Sequence, residues 1–363
     1  MFKRSVLVLL VMALFFAVAA VAVTPEPALA EVQQQNAALE GVNIYFTEAG
    51  AEASRFDRSE NGLSRFAGLL TQQGANLFTL EWRTGFPTDA DLIVIAGPVT
   101  DLTADQVARL WSYVNNGGRM LLLANTVIES RRALGAAGGL FSLMYADMGL
   151  RGLDNVVLDA AILTPDEETP RPEGAAARIA QGVFVATGIN PTHPITSDLQ
   201  GELYFNLARS LDVDSAIQGF TVTPLITTSN AYYGEMNFAD YVGGADIAYN
   251  IGVDQTQGVF PLAAAYENPG TGSRIVVVGD REFATNGRGL LTAPPNSAGF
   301  VYPENARFLL NAAAWLLEGE PVEVDFPTPG PTSTVTLTPT FTPTPSPTPA
   351  VTATPPPTPT PAS

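Results

Sequence analysis

Asp91–Asn125 reads DLIVIAGPVTDLTADQVARLWSYVNNGGRMLLLAN, and this stretch decides the fold. Leu92 to Ile95 form an apolar run without alternation, as a parallel strand covered on both faces requires, and Leu121 to Ala124 repeat the pattern. Between them Thr103 stands where an N-cap is expected, and Val107, Leu110, Trp111 and Val114 recur at helical spacing. Gly117 and Gly118 end the helix without a Cβ penalty. The unit is strand, loop, helix and strand, with a right-handed crossover expected.

Working outward, Val42–Phe46 (VNIYF) is a first strand, and a helix over about Glu60 to Gln73 carries Leu63, Phe66, Leu69 and Leu70 on one stripe before Gly74. Asn76–Trp82 is a second short strand. Strands that alternate with helices predict an α/β protein with a flavodoxin-like, doubly wound, mostly parallel sheet.

Past Asn125 come Arg131 and Arg132, a Gly138-Gly139 turn, a short helix at Leu140–Met148, a strand at Val156–Ala160 and an exposed loop at Glu167–Glu173. Phe184–Thr187, Leu203–Leu207, Val222–Thr227 and Phe260–Tyr266 read as strands, whereas Asn230–Asn250, rich in Tyr, Gly, Asp and Asn, reads as a long surface loop. Ile275–Val278 is a β-branched run suited to a buried parallel strand. Pro303–Glu318, with Ala306, Leu309, Leu310, Ala313, Trp315 and Leu316, is a closing helix.

The termini are of different character. Lys3 and Arg4, the apolar Ser5–Val23 and the Ala28-Leu29-Ala30 site read as a secretory signal peptide over residues 1–30, with an uncleaved N-terminal anchor as the alternative. Either reading places the rest of the chain outside the cytoplasm. Residues 31–41 form a linker, 42–319 the α/β domain, and 320–363 a Pro/Thr-rich stalk whose repeated Thr-Pro pairs favour extended polyproline II geometry rather than a core.

Charge and composition exclude several functions. With 36 acidic residues against 18 basic ones, and Lys3 the only lysine, the chain lacks the basic surface that nucleic acid needs. There is no cysteine, which removes thiolate catalysis, disulfides and cysteine metal ligands together. Neither a Walker loop, a dinucleotide fingerprint nor a Gly-x-Ser-x-Gly elbow occurs, so no cofactor and no metal centre are expected.

The remaining candidates stand at carboxyl strand ends, where open α/β sheets bind ligands. Asp280, Glu282 and Asn286 follow the Ile275–Val278 strand and offer carboxylates and an amide to a hard cation or to a small polar ligand such as a carbohydrate. Asn125 follows the strand ending at Ala124. His193, the single histidine, sits in Asn190-Pro191-Thr192-His193-Pro194, a rigid turn in which a hydrogen-bonding anchor is as natural as a base or ligand. Equally, Asp280 can cap the turn that follows it and Asn286 can hold an unusual backbone position.

Ala90–Pro98, Leu102-Thr103, Asn116–Leu121, His193-Pro194-Ile195-Thr196, Val278-Gly279-Asp280 with Phe283 and Asn286, and a helix ending in Trp315-Leu316 together carry a resemblance. Over Val42 to Gly319 the chain resembles the auxiliary domain of ABC-type transport systems, gliding-motility type, within the class I glutamine amidotransferase-like superfamily. That resemblance implies a flavodoxin-like sheet, a role in binding or assembly rather than catalysis, and a membrane or cell-surface protein as partner. Active members of the superfamily carry a Cys nucleophile on an elbow with His and Glu partners. Here the elbow falls near Asn125, the Cys is missing, and His193 is followed by Pro194 and Ile195. No enzyme is expected on this reading. The alternative is a hydrolase or sugar-processing enzyme like the trehalose-utilisation relatives, using Asp280, Glu282 and His193 if they share a cleft.

Overall fold

The computed structural model describes residues 38–48, 52–100, 102–124, 140–163, 173–217, 219–245, 253–322, 324 and 326. The signal segment, Asn125, Arg131, Arg132, the Gly138-Gly139 turn, most of the 167–173 loop, residues 246–250 and the stalk from 327 onward lie outside the described residues.

The described part of the Asp91–Asn125 unit folds as its sequence demands. Strand β3 (Leu92–Ala96) is buried at every position, and helix α2 (Ala104–Asn115) starts at a capping box. Thr103 Oγ1 accepts the Gln106 N–H at 3.3 Å while Gln106 Oε1 accepts the Thr103 N–H at 2.7 Å, which satisfies two otherwise orphaned donors. Val107, Leu110, Trp111 and Val114 are the buried residues of α2. Strand β4 (Arg119–Leu123) then pairs parallel with β3.

On either side stand β1 (Asn43–Thr47), helix α1 (Ser64–Gln72), β2 (Asn76–Leu80) and β15 (Ser273–Val278). The eight-stranded sheet runs β2-β1-β3-β4-β15-β14-β11-β8, where β8 is Gly188–Ile189, β11 Thr221–Thr227 and β14 Pro261–Asn268. The neighbours from β2 through β15 are parallel, and β14, β11 and β8 extend the sheet antiparallel. The switch at β14 has a simple cause. Only residues 269–272 separate β14 from β15, and so short a link permits a hairpin but no crossover.

Alternation sorts the core into two layers. Leu92, Val94, Leu121, Leu123, Val276 and Val278 face α1 and helix α6 (Pro303–Leu316), and Ile93, Ile95, Met120, Leu122, Ile275 and Val277 face α2 and helix α3 (Leu140–Met148). Each such buried side chain contributes roughly 1.5–3 kcal/mol of transfer free energy, so neither face tolerates a polar substitution. In α6 Asn305 and Asn311 are fully enclosed because they serve as backbone substitutes: Asn305 accepts the Tyr204 N–H at 2.9 Å and donates to Tyr204 O at 3.0 Å, and Asn311 accepts the Val322 N–H at 3.0 Å.

Between β4 and β15 the chain inserts smaller pieces. Strands β5 (Leu150–Gly152) and β10 (Leu211–Val213) pair, as do β7 (Val183–Ala186) and β9 (Leu203–Asn206). A third sheet, β13-β12-β6, joins Gln255–Gly258, Tyr232–Glu235 and Val156–Asp159. This corrects the reading of Asn230–Asn250 as a surface loop. Its described part holds β12, the middle strand of that sheet, and a short helix at Phe238–Val242. Tyr233, Phe238 and Tyr241 pack with Val156, Leu158 and Leu207 into a core of their own, and aromatic burial outweighs the turn-forming composition around them. Helix α1 also begins later than its apolar pattern suggests, at Ser64, because Gly62 and Leu63 are held in the preceding turn by Ser59 O and Ser54 O.

Candidate functional site

At the carboxyl end of β15 two close approaches shape the turn. A Cβ on Gly279 would lie 2.1 Å from the carbonyl oxygen of Arg209, and one on Gly97, at φ +64° beyond β3, would lie 2.2 Å from the Arg281 side chain. Glycine at position 97 lets the Arg281 side chain reach past β4 to the end of β3, and glycine at position 279 admits the Arg209 carbonyl.

Asp280 is fully buried, and each carboxylate oxygen accepts a backbone N–H at 2.7 Å: Oδ2 from Asn206 and Oδ1 from Glu282. Asp280 therefore ties the end of β9 to the end of β15 and caps the short turn at Glu282–Ala284. Burial, reinforced by the neighbouring Glu282 carboxylate, pushes its carboxyl well above the ordinary range, while the two N–H donors and Arg281 work against that shift. Glu282 is held in turn: Oε1 accepts from Arg281 Nη2 at 2.6 Å and Oε2 from the Thr285 hydroxyl at 3.0 Å. Both members of this ion pair are buried.

Asn286 joins the turn to the approach of α1. Its amide nitrogen donates to Asp57 O at 3.0 Å, Ser59 O at 2.8 Å and Ser64 Oγ at 3.2 Å, and its oxygen accepts the Arg65 N–H at 2.9 Å. The side-chain polar atoms of all three are thus hydrogen-bonded within the fold, Asp280 to the end of β9, Asn286 to the approach of α1 and Glu282 inside the turn itself.

His193 lies elsewhere. Its ring packs on Trp315 near the end of α6 with centroids 4.9 Å apart, and Nδ1 accepts the Ile195 N–H at 3.2 Å. Burial pushes the imidazole down to about 4, Glu267 opposes that shift, and Arg274 adds to it. Glu267 and Arg274 flank the start of β15, whereas Asp280 follows its end, six residues on and roughly 20 Å away at about 3.3 Å per residue. The structure brings Asp280, Glu282 and Asn286 together and leaves His193 at the opposite end of the strand. Asn125 is outside the described residues, but Ala124 before it donates its N–H to Val278 O at 2.8 Å, so β4 ends beside this turn.

Several participants escape a reading of the sequence. Arg281 lies within the motif, but its ion pair with Glu282 and its contact with Gly97 are set by packing; Asn206 and Arg65 reach the turn from 74 and 221 residues away. A second buried acid, Glu235 in the small sheet, accepts from the Tyr233 hydroxyl at 3.0 Å and the Asn237 N–H at 2.6 Å, and burial raises its carboxyl. Among the described residues no group of three or more His, Asp or Glu side chains is placed to hold a metal ion, and no helix is long and apolar enough to cross a membrane.

A family model described as an ABC-type uncharacterized transport system matches residues 43–312, from the first residue of β1 to well inside α6. The chain belongs to that family. No curated protein matches the sequence. Among solved structures, this transport-system domain is similar to the mmIFT52 N-terminal domain, at 12% identity and TM-score 0.47 over 78% of this chain and 100% of that one. It is also similar to a thua-like protein from Bacteroides uniformis, at 15% identity and TM-score 0.40 over 78% and 95%. A beta-galactosidase from Rahnella sp. R3 aligns at 13% identity and TM-score 0.38 over 68% of this chain and 30% of its own. At these similarities the neighbours bear on neither substrate nor partner.

Proposed function

We propose that this chain is a non-catalytic, extracytoplasmic binding or scaffold component of an ABC-type transport or cell-surface assembly, with its α/β domain over residues 42–319 held between an N-terminal export or anchor segment and a Pro/Thr-rich stalk. The observation that carries the reading is the employment of the acid and base candidates. Asp280 and Glu282 have both oxygens engaged by the fold, and His193 stands about a strand's length away. A general acid or base must reach the reacting atom within hydrogen-bond distance, and acid–base work by these three side chains would need them in one cleft. Family membership supplies the transport context, and the sequence without cysteine supplies no thiolate.

The test is affinity capture of the full-length protein from its own membranes after mild cross-linking. Transporter or envelope components are expected in the eluate, and external protease should digest the domain in intact cells. A capture that recovers no such component, or a domain protected from external protease, overturns the corresponding half of the reading. Turnover of a glycoside or ester substrate that disappears in both Asp280→Asn and His193→Ala would overturn the non-catalytic assignment.

A further inference from the structure

The eight-stranded sheet ends differently on its two sides. Beyond β11 it closes with β8, which is two residues long, and so short a strand leaves little edge to pair with. The other side ends on β2, five residues long (NLFTL) and paired with β1 alone. Here none of the usual devices that blunt an edge is present. β2 holds no proline and no charged residue, and its register with β1 runs without a bulge.

The register shows which backbone groups are left over. The Asn76 N–H donates to Val42 O at 2.8 Å, so Asn76 faces β1, and by alternation Phe78 and Leu80 do the same. Leu77 and Thr79 therefore turn their N–H and C=O groups outward, and among the described residues no strand pairs with them there.

The side chains at this edge are apolar and open. Phe56 and Phe78, the exposed phenylalanines of the described residues, both stand here, at 65% and 40% exposure. Phe78 stacks on Tyr45 with centroids 4.9 Å apart. Phe56 lies 3.9 Å from the Arg55 guanidinium, which also donates to Thr79 Oγ1 at 3.3 Å. Exposed aromatic surface gathered beside an open strand marks a protein contact.

Charge and symmetry decide which protein. At a net charge of −18, two copies of this chain repel over most of their surface, yet Phe66–Leu80 carries no ionisable residue. That strip meets no like charge on its own copy and offers no opposite charge to a basic or an acidic segment. The strand is also self-complementary. In an antiparallel pair of β2 strands centred on Phe78, Leu77 of each copy falls opposite Thr79 of the other. These are the residues with outward groups, so each such pair can exchange both ladder bonds. Phe78 falls opposite its own counterpart at the closer, non-hydrogen-bonded spacing, which carries the Tyr45–Phe78 stack across the axis.

We propose that β2 joins two copies of this chain, antiparallel and with the two-fold axis at Phe78, into one continuous sheet. This is independent of the transport reading, which concerns a different protein as partner. A pair of five-residue strands with flanking phenylalanines is small beside the roughly 1,600 Å² of a standard interface, which places the dissociation constant in the micromolar range.

The chain has no cysteine, so a single introduced thiol reports the pairing directly. Phe78→Cys sets two thiols on residues about 4.5 Å apart at Cα, within disulfide reach. Asn76→Cys leaves them about 13 Å apart, the distance from Asn76 to Leu80 along the strand. Under mild oxidation of the full-length chain, Phe78→Cys should form the linked dimer at least about tenfold faster than Asn76→Cys. Sedimentation velocity of the wild type should show a monomer–dimer equilibrium. Thr79→Pro, tolerated where an edge N–H faces solvent, should raise the dissociation constant at least about tenfold while the unfolding midpoint stays within a few degrees. A monomer at every concentration up to about 500 µM, a dimer unchanged in folded Thr79→Pro, or disulfides forming as fast at residue 76 as at residue 78 would each overturn the assignment.

Discussion

Asp280→Ala separates a structural from a chemical role for the turn after β15. The substitution removes an acceptor pair from two buried N–H groups, those of Asn206 and Glu282. Each orphaned donor costs about 1–3 kcal/mol, or about 2–6 kcal/mol together. Removing a carboxylate whose burial beside Glu282 already disfavours its charge offsets part of this, leaving a loss of about 2–4 kcal/mol. Asp280→Asn keeps one acceptor but sets an amide N–H against a backbone N–H, for about 1–3 kcal/mol.

The pH dependence supplies a second signature. Because the folded pKa lies above the ordinary 3.8 of the unfolded chain, the native state binds the extra proton between those two values. This contribution to wild-type stability is fully present on the acid side and is lost as pH rises through the folded pKa. The gap between wild type and Asp280→Asn should accordingly be widest in acid and narrow toward neutral pH. Urea unfolding followed by tryptophan fluorescence at a series of pH values reads both effects, the midpoint of Asp280→Ala falling by about 1 M at unchanged slope. A midpoint within about 0.2 M of wild type, or a gap that widens with rising pH, would refute the reasoning.

Asn286→Ala removes four hydrogen bonds that hold residues 57–65 to the turn, so a loss of about 2–3 kcal/mol is expected together with faster tryptic cleavage at Arg58; cleavage as slow as in wild type would contradict it. His193 is the sole imidazole, so its proton resonance is unambiguous and should titrate near 4. Its folded pKa lies below the ordinary 6.5, so the folded state binds fewer protons in that window and stability falls as pH drops from 6.5 toward 4, by about 1–2 kcal/mol after discounting for solvent at the ring. A His193 resonance titrating near 6.5 would show that the ring is not packed on Trp315 as described.

The parallel half of the sheet was legible because its signals are local. The β3–α2–β4 unit carries its own cap, stripe and glycine stop, and each is decided within a few residues. The antiparallel extension was less so, since Phe260–Tyr266 reads as a buried strand whichever way it runs, and its direction follows from the four-residue link to β15. The sheet around Tyr233 was hidden because three short segments bury their aromatics only against one another. For the candidate site, the position of Asp280, Glu282 and Asn286 at a strand end could be read directly, but their employment could not. Asn286 is satisfied by residues more than 200 positions away, and nothing near His193 in the chain announces Trp315.

From Asp91 to Asn125, then, the order of elements, their class and the loss of thiolate chemistry are properties of the sequence alone, since they depend on periodicity, capping and composition within short windows. Which candidate side chains meet, and which are tied up in holding the fold, belongs to the tertiary structure. A hydrogen-bond partner is set by distance in space, and the strand that separates His193 from Asp280 is a length no local pattern measures.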